Sequence, residues 1–214
     1  MKNIHSTKSF LLAAAASLGL AASAFAQTTA PAEPAPAVHG SGLLGQNYAS
    51  LSYGFIDLDD TGVDANSFTL AFNQGVRDGL DSFLEYDYTR TDRILGSRLT
   101  QHSLLAGARV FTGYRGIKPY AEAGVGWVWQ KFGGASDNSF GWGAGVGAEI
   151  AVAPALTVTP FVRYTDVTEG SNNDSWEYGV KANYWLSEKL ALQGGLSRDD
   201  DQNMVYRVGV NFRY

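Results

Sequence analysis

The chain has no cysteine among its 214 residues. This excludes a disulfide framework, a thiol nucleophile and any cysteine-ligated metal. Charge is sparse, at 17% of residues, and only three histidines are present. No apolar run of about 18 or more residues occurs beyond the N-terminal segment, so helical membrane spans are excluded. Membrane-spanning strands are not, because their apolar residues recur only at alternate positions. A basic excess is missing too: 16 Lys and Arg stand against 21 Asp and Glu, for a net charge of −5. That balance argues against a nucleic-acid partner. What the chain does have is glycine (25 residues) and aromatic side chains (13%).

The N-terminus reads as a secretory signal peptide over 1–26. Lys2 and Lys8 form a positive region, 10–24 an alanine-rich apolar core, and Ala24-Phe25-Ala26 a small-residue cleavage site before Gln27. Its removal takes away Lys2 and Lys8 and moves the net charge from −5 to −7. Residues 27–40 are rich in Pro and Ala and read as an extended periplasmic linker, with His39 a solvated histidine. The fold is expected over 41–214.

From Gln46 onward, alternation with period two dominates, and in a strand successive side chains point to opposite faces. The last stretch is the clearest case. Met204, Tyr206, Val208, Val210, Phe212 and Tyr214 share one face, while Val205, Arg207, Gly209, Asn211 and Arg213 share the other. Ten strands are expected, at about 46–57, 66–74, 81–92, 99–111, 118–130, 139–152, 156–166, 175–185, 189–198 and 204–214, with eight as the alternative count. Their connections alternate in kind. Asp57–Ala65, Asp92–Arg98, Lys131–Ser139, Asp166–Asp174 and Arg198–Asn203 are polar, mostly acidic loops; Gly75–Leu80, Gly113–Ile117, Ala153–Leu156 and Ser187–Lys189 are tight turns. Short turns at one end and longer loops at the other is the layout of a transmembrane barrel.

The two faces decide between water and lipid. One collects the Leu, Val, Ile and Trp residues and most of the Tyr. The other collects Glu85, Asp87, Arg109, Glu122, Glu149, Arg163, Glu177, Lys181, Arg207 and Arg213. Ten ions cannot occupy the dry core of a soluble sandwich, where each unpaired one costs several kcal/mol. In a closed antiparallel barrel in lipid they face a polar lumen, the exterior is apolar, and closure pairs every strand edge. Trp127, Trp129, Trp142, Trp176 and Trp185 then suit the interfacial girdles. Five acids and five bases in an interior this narrow are expected to pair as a salt-bridge plug. The inward glycines Gly141, Gly143, Gly145 and Gly147 are expected to make room for large neighbours such as Phe161, with a local gap in the lumen as the alternative.

The export signal, the alternating Tyr- and Gly-rich strands and the terminal Val208-Gly-Val210-Asn-Phe212-Arg-Tyr214 resemble the small outer-membrane barrels of Gram-negative bacteria, the OmpA-like, opacity-type β-barrel family. The resemblance covers about 41–214. It implies an outer-membrane location, contact with outer-membrane lipids, and a monomeric barrel. It also implies that Val208, Val210, Phe212 and Tyr214 form the signal read by the barrel-assembly machinery, with Tyr214 where phenylalanine is usual. No peptidoglycan-binding domain is expected after the last strand.

Catalytic and metal readings find little support. His102-Ser103 resembles the His-x-Ser pair of lipid A deacylases only in part, since adjacent strand residues face opposite ways. Omptin-type proteolysis would need a histidine beside Asp57, Asp59, Asp60 and Asp64 in the outer loops, and none is there. Asp199-Asp200-Asp201 lacks EF-hand spacing and reads as a solvated loop tip. The expectation is a non-enzymatic outer-membrane barrel without cofactor or metal, structural or surface-interacting in role. A narrow porin-like channel is the alternative, and a lipid-modifying enzyme stands behind both.

Overall fold

The computed structural model describes residues 42–58, 63–93, 96–168 and 174–214. The signal peptide, the linker, His39, Asp59 and Asp60 lie outside the described residues. Ten strands run β1 Tyr48–Leu58, β2 Val63–Arg77, β3 Leu80–Thr91, β4 Leu99–Phe111, β5 Ile117–Phe132, β6 Ala135–Ala153, β7 Leu156–Val167, β8 Ser175–Trp185, β9 Leu190–Asp199 and β10 Met204–Arg213. Each pairs antiparallel with its chain neighbours, and β1 pairs with β10 from Tyr48↔Arg213 to Asp57↔Met204 to close the barrel. The strand count is ten. An even count brings Tyr48 and Arg213, the two ends of the barrel sequence, to one rim.

The exterior is apolar. Leu51, Phe68, Val125, Tyr178, Val208 and Phe212 are each about half exposed or more, as are many other Leu, Val and aromatic residues on the same faces. The interior is the reverse: the largest fully buried side chains are Asn73, Asn211, Thr157 and Asp81. A protein in water does not expose apolar surface on this scale while burying amides and carboxylates. In lipid the arrangement is the favourable one.

β2 is longer than expected, so Asp64 and Ala65, read as loop, and Gly75 to Arg77, read as turn, lie in a strand. Three further features depart from the periodicity reading. Lys131–Ser139 is not a loop. β5 and β6 continue through it, paired to Phe132↔Ala135, around a two-residue turn at Gly133 and Gly134. Both glycines have positive φ (56° and 93°), as the hairpin turn matching strand twist requires. The 16-residue β5 and 19-residue β6 far exceed the ~10 residues that cross a bilayer, so their hairpin projects beyond it. Second, Trp185 belongs to no girdle; it is 6% exposed, on the inward face, beneath the Arg213 guanidinium 3.6 Å from its ring centre. It follows Tyr184, which is outward and exposed, and one step along a strand reverses the face. Third, β1 starts at Tyr48, not Gln46, because the residues before it leave the wall and enter the lumen.

The inward glycines relieve crowding from within. A Cβ on Gly147 would lie 2.6 Å from the Tyr120 ring and 2.7 Å from the Pro160 carbonyl oxygen, whereas one on Gly194 would meet nothing within 4 Å. Gly147→Val is expected to lower stability by about 1–3 kcal/mol through overpacking. Gly194→Ala should change it by under about 0.5 kcal/mol. Urea titration of the refolded protein, scored by migration on an unheated gel, checks both.

Candidate functional site

The lumen holds the candidate site, and its side chains arrive there by strand alternation. Arg109 on β4 and Glu122 on β5 are register partners, both inward. Glu122 Oε2 accepts from Arg109 Nε at 2.9 Å and Nη2 at 2.6 Å. Its other oxygen accepts from Arg163 Nε at 3.2 Å and Nη2 at 3.0 Å. Arg163 Nη1 then donates to Glu85 Oε1 at 2.9 Å. The chain Arg109–Glu122–Arg163–Glu85 therefore runs from β4 and β5 through β7 to β3, four strands round the ring from β7. Each arginine brings two N–H groups to a single carboxylate oxygen of Glu122, and hydrogen bonds between ionised groups are the strong form of such contacts. Gly145 gives it room: a Cβ there would stand 3.2–3.3 Å from the Glu122 side chain. The Arg109 guanidinium also lies against the rings of Phe83 (5.4 Å) and Tyr120 (5.2 Å).

A second cluster lines the wall on β8–β10. Arg207 Nη1 donates to Glu177 Oε1 at 2.6 Å, and Ser197 Oγ donates to the same oxygen at 2.6 Å. Lys181 and Asp87 stay outside the ion-pair chain among the described residues. The Lys181 ammonium sits 4.8 Å from the Phe161 ring centre, and Asp87 accepts a hydrogen bond from the Thr69 hydroxyl at 2.5 Å. The expected network of ten is thus two separate clusters of four and two, with Lys181 and Asp87 apart and Glu149 and Arg213 engaged at the rim. Spacing along a strand gives the face of a residue but not its height against a strand elsewhere in the ring.

Glu149 does something else. With Lys118, Asp81, Asn73 and Arg213 it binds a strap, residues 42–46, across the lumen at the rim where the barrel sequence begins and ends. Glu149 Oε2 accepts from the Leu43 N–H at 2.5 Å and the Leu44 N–H at 3.4 Å. Lys118 Nζ donates to the Leu44 carbonyl at 3.0 Å, Asp81 accepts from the Gly45 N–H at 3.0 Å, and Asn73 donates to the Gln46 carbonyl at 2.8 Å. Arg213 Nη2 donates to the Gly42 carbonyl. Leu44 is 4% exposed. Gly42, with φ of 101°, packs where any Cβ would strike Glu149. Sequence reasoning missed this strap. Its signals were the apolar pair Leu43-Leu44 between a linker and a strand, and the inward positions of Asp81 and Lys118, four residues before the inward Glu85 and Glu122 respectively.

Above the strap a polar cavity of about 350 Å³ remains, lined from Leu43 and Leu44 to Thr89 and Gln101. His102 and Ser103 separate as alternation requires. Ser103 lines the cavity, while His102 Nδ1 is 2.7 Å from the Tyr86 hydroxyl on the outward face. Among the described residues no three His, Asp or Glu side chains are grouped to hold a metal. Val208, Val210, Phe212 and Tyr214 all face outward and are exposed.

No family profile matches the sequence, and no curated protein matches it. Among solved structures, the chain is similar to Neisserial surface protein A (16% identity, 81% of this chain and 100% of that one, TM-score 0.45). It is also similar to the translocator domain of the autotransporter NalP from Neisseria meningitidis (10%, 79% and 88%, TM-score 0.47). A third is Ail, the attachment invasion locus protein of Yersinia pestis (14%, 79% and 99%, TM-score 0.40). At these identities and scores no role transfers from them. The barrel's own closure, apolar wall and ionic lumen make the chain an outer-membrane β-barrel protein.

Glu122 is shared by two arginines and is 7% exposed, so Glu122→Gln leaves buried cations underpaired. That variant is expected to lose about 3 kcal/mol of stability. Asp87→Asn, outside the ion pairs, should lose no more than about 1 kcal/mol. Urea midpoints of the refolded variants measure the difference.

Proposed function

We propose that this is a non-conducting outer-membrane barrel with a structural or surface-interaction role, its lumen plugged by ion pairs. Arg163 carries the reading: it is bonded to Glu122 on β5 and to Glu85 on β3, tying distant parts of the wall together through the lumen. The strap adds a floor of Leu43 and Leu44 held by Glu149 and Lys118. The rim where β1 begins and β10 ends, which carries the strap, is the periplasmic one, and the projecting β5–β6 hairpin stands outside, available for contacts at the cell surface. The barrel acts as a monomer in contact with outer-membrane lipids, and no catalytic role is assigned to it.

The finer family assignment is to the OmpA-like, opacity-type barrels, supported by the terminal alternation. Val208, Val210, Phe212 and Tyr214 form the signal for the barrel-assembly machinery. A second reading, a narrow porin-like channel, is favoured by the residual cavity above the strap.

Refolded mature protein in a planar bilayer separates the two. No steady conductance is expected from a barrel that migrates as compact on an unheated gel. Steady conductance that shifts on neutralising Arg109 or Glu149 would replace the plug with a pore.

A further inference from the structure

The outward face of β3–β5 is graded by height. Three registers step towards the projecting hairpin: Leu84↔Ala106↔Val125, then Tyr86↔Leu104↔Trp127, then Tyr88↔His102↔Trp129. All are outward, with Leu84, Tyr86, Leu104, Val125, Trp127 and Trp129 exposed. The next register is Arg90↔Thr100↔Lys131. Two cations thus flank a threonine, two strand spacings or about 10 Å apart, directly above an aromatic row that includes a histidine. Arg90 and Lys131 are exposed, and neither side chain has an ion pair or hydrogen-bond partner among the described residues. The connection between Arg90 and Thr100 adds exposed Arg93 and Arg98, against a single acid, Asp92.

The same height elsewhere on the rim differs. On β1 and β2 the outward ladder Leu51↔Leu70, Tyr53↔Phe68, Phe55↔Asn66 ends on Asp57↔Asp64, two acids side by side. On β9 the outward Arg198 is already engaged, donating to Gln202 at 2.7 Å. Among the described residues at this rim, the free positive charge is therefore confined to the β3–β5 sector.

We propose that Arg90 and Lys131, with the Thr100 hydroxyl between them and His102 below, form a binding site for the phosphate of an anionic outer-leaflet lipid. The apolar rows beneath take its acyl chains. The proposal rests on the outer-membrane reading and on the hairpin end being outermost. A free phosphate in solution has no use for the wall of Leu84, Leu104 and Val125 below the cations, whereas a lipid needs both. Cations beside a membrane surface attract anionic headgroups, and a phosphate accepts several charge-assisted hydrogen bonds at once.

The test is native mass spectrometry of the refolded mature protein in detergent, titrated with a bisphosphorylated lipid A. The same lipid stripped of phosphate and inorganic phosphate are the parallel arms. One bound lipid is expected, with the dephosphorylated lipid and inorganic phosphate both much weaker. Arg90→Gln with Lys131→Gln should weaken lipid binding about thirty-fold. Asp57→Asn with Asp64→Asn, a charge change of equal size in the acidic sector, should leave the lipid's affinity within about two-fold. Insertion is read separately, by the unheated-gel shift in vesicles. A chain that fails to insert overturns the outer-membrane reading and the site with it. A chain that inserts but binds both lipids equally, or whose Arg90/Lys131 variant binds as tightly as the parent, overturns the site alone.

Discussion

Every strand of this protein has two edges, and in hydrocarbon an unpaired edge N–H or C=O costs several kcal/mol with no water to relieve it. The pairing of β1 with β10 is what removes the last such edge. Once the ring is closed, alternation leaves each residue only two environments, lipid or lumen. That constraint puts Val208 and Phe212 outside, and Arg207 and Asn211 inside, from one ten-residue strand. The ionic interior follows from it: charges that cannot face lipid must face each other.

Within that interior the carboxylate of Glu122 holds the central place. It is one residue satisfying two guanidiniums, with one oxygen for each. Buried ion pairs seldom exceed well-packed hydrophobic residues in stability. Here, however, an apolar alternative would give the strand two apolar faces and no way to tell inside from outside, so the charges also fix the register of the wall. Gly145 and Gly147 supply the complementary space, letting Glu122 and Tyr120 lean inward past the facing strand.

Most of the wall was legible in the sequence because period two is a local property. The ten strands, the inward set and the terminal apolar face all follow from neighbouring residues. The partners were not legible. Arg163 reaches Glu85 across a separation of 78 residues, set by the stagger of the whole ring rather than by any short stretch. Trp185 was misjudged because its chemistry suits a girdle while its place in the alternation does not. Lys131–Ser139 was misjudged because polar residues in a strand beyond the bilayer look like loop. The strap escaped for another reason: residues 42–46 have no periodicity, and what holds them is a set of polar groups drawn from five different strands.

That last property bears on the order of folding. Asn73, Asp81, Lys118, Glu149 and Arg213 belong to β2, β3, β5, β6 and β10, and Leu43 meets Glu149 across 106 residues of chain. Contacts so distant form only when the intervening chain is already arranged. No subset of early hairpins can present all five anchors together, so the strap docks after the ring has shut. Residues 42–46, which precede β1, are thus among the last to settle, and their seating is a built-in record that assembly has finished.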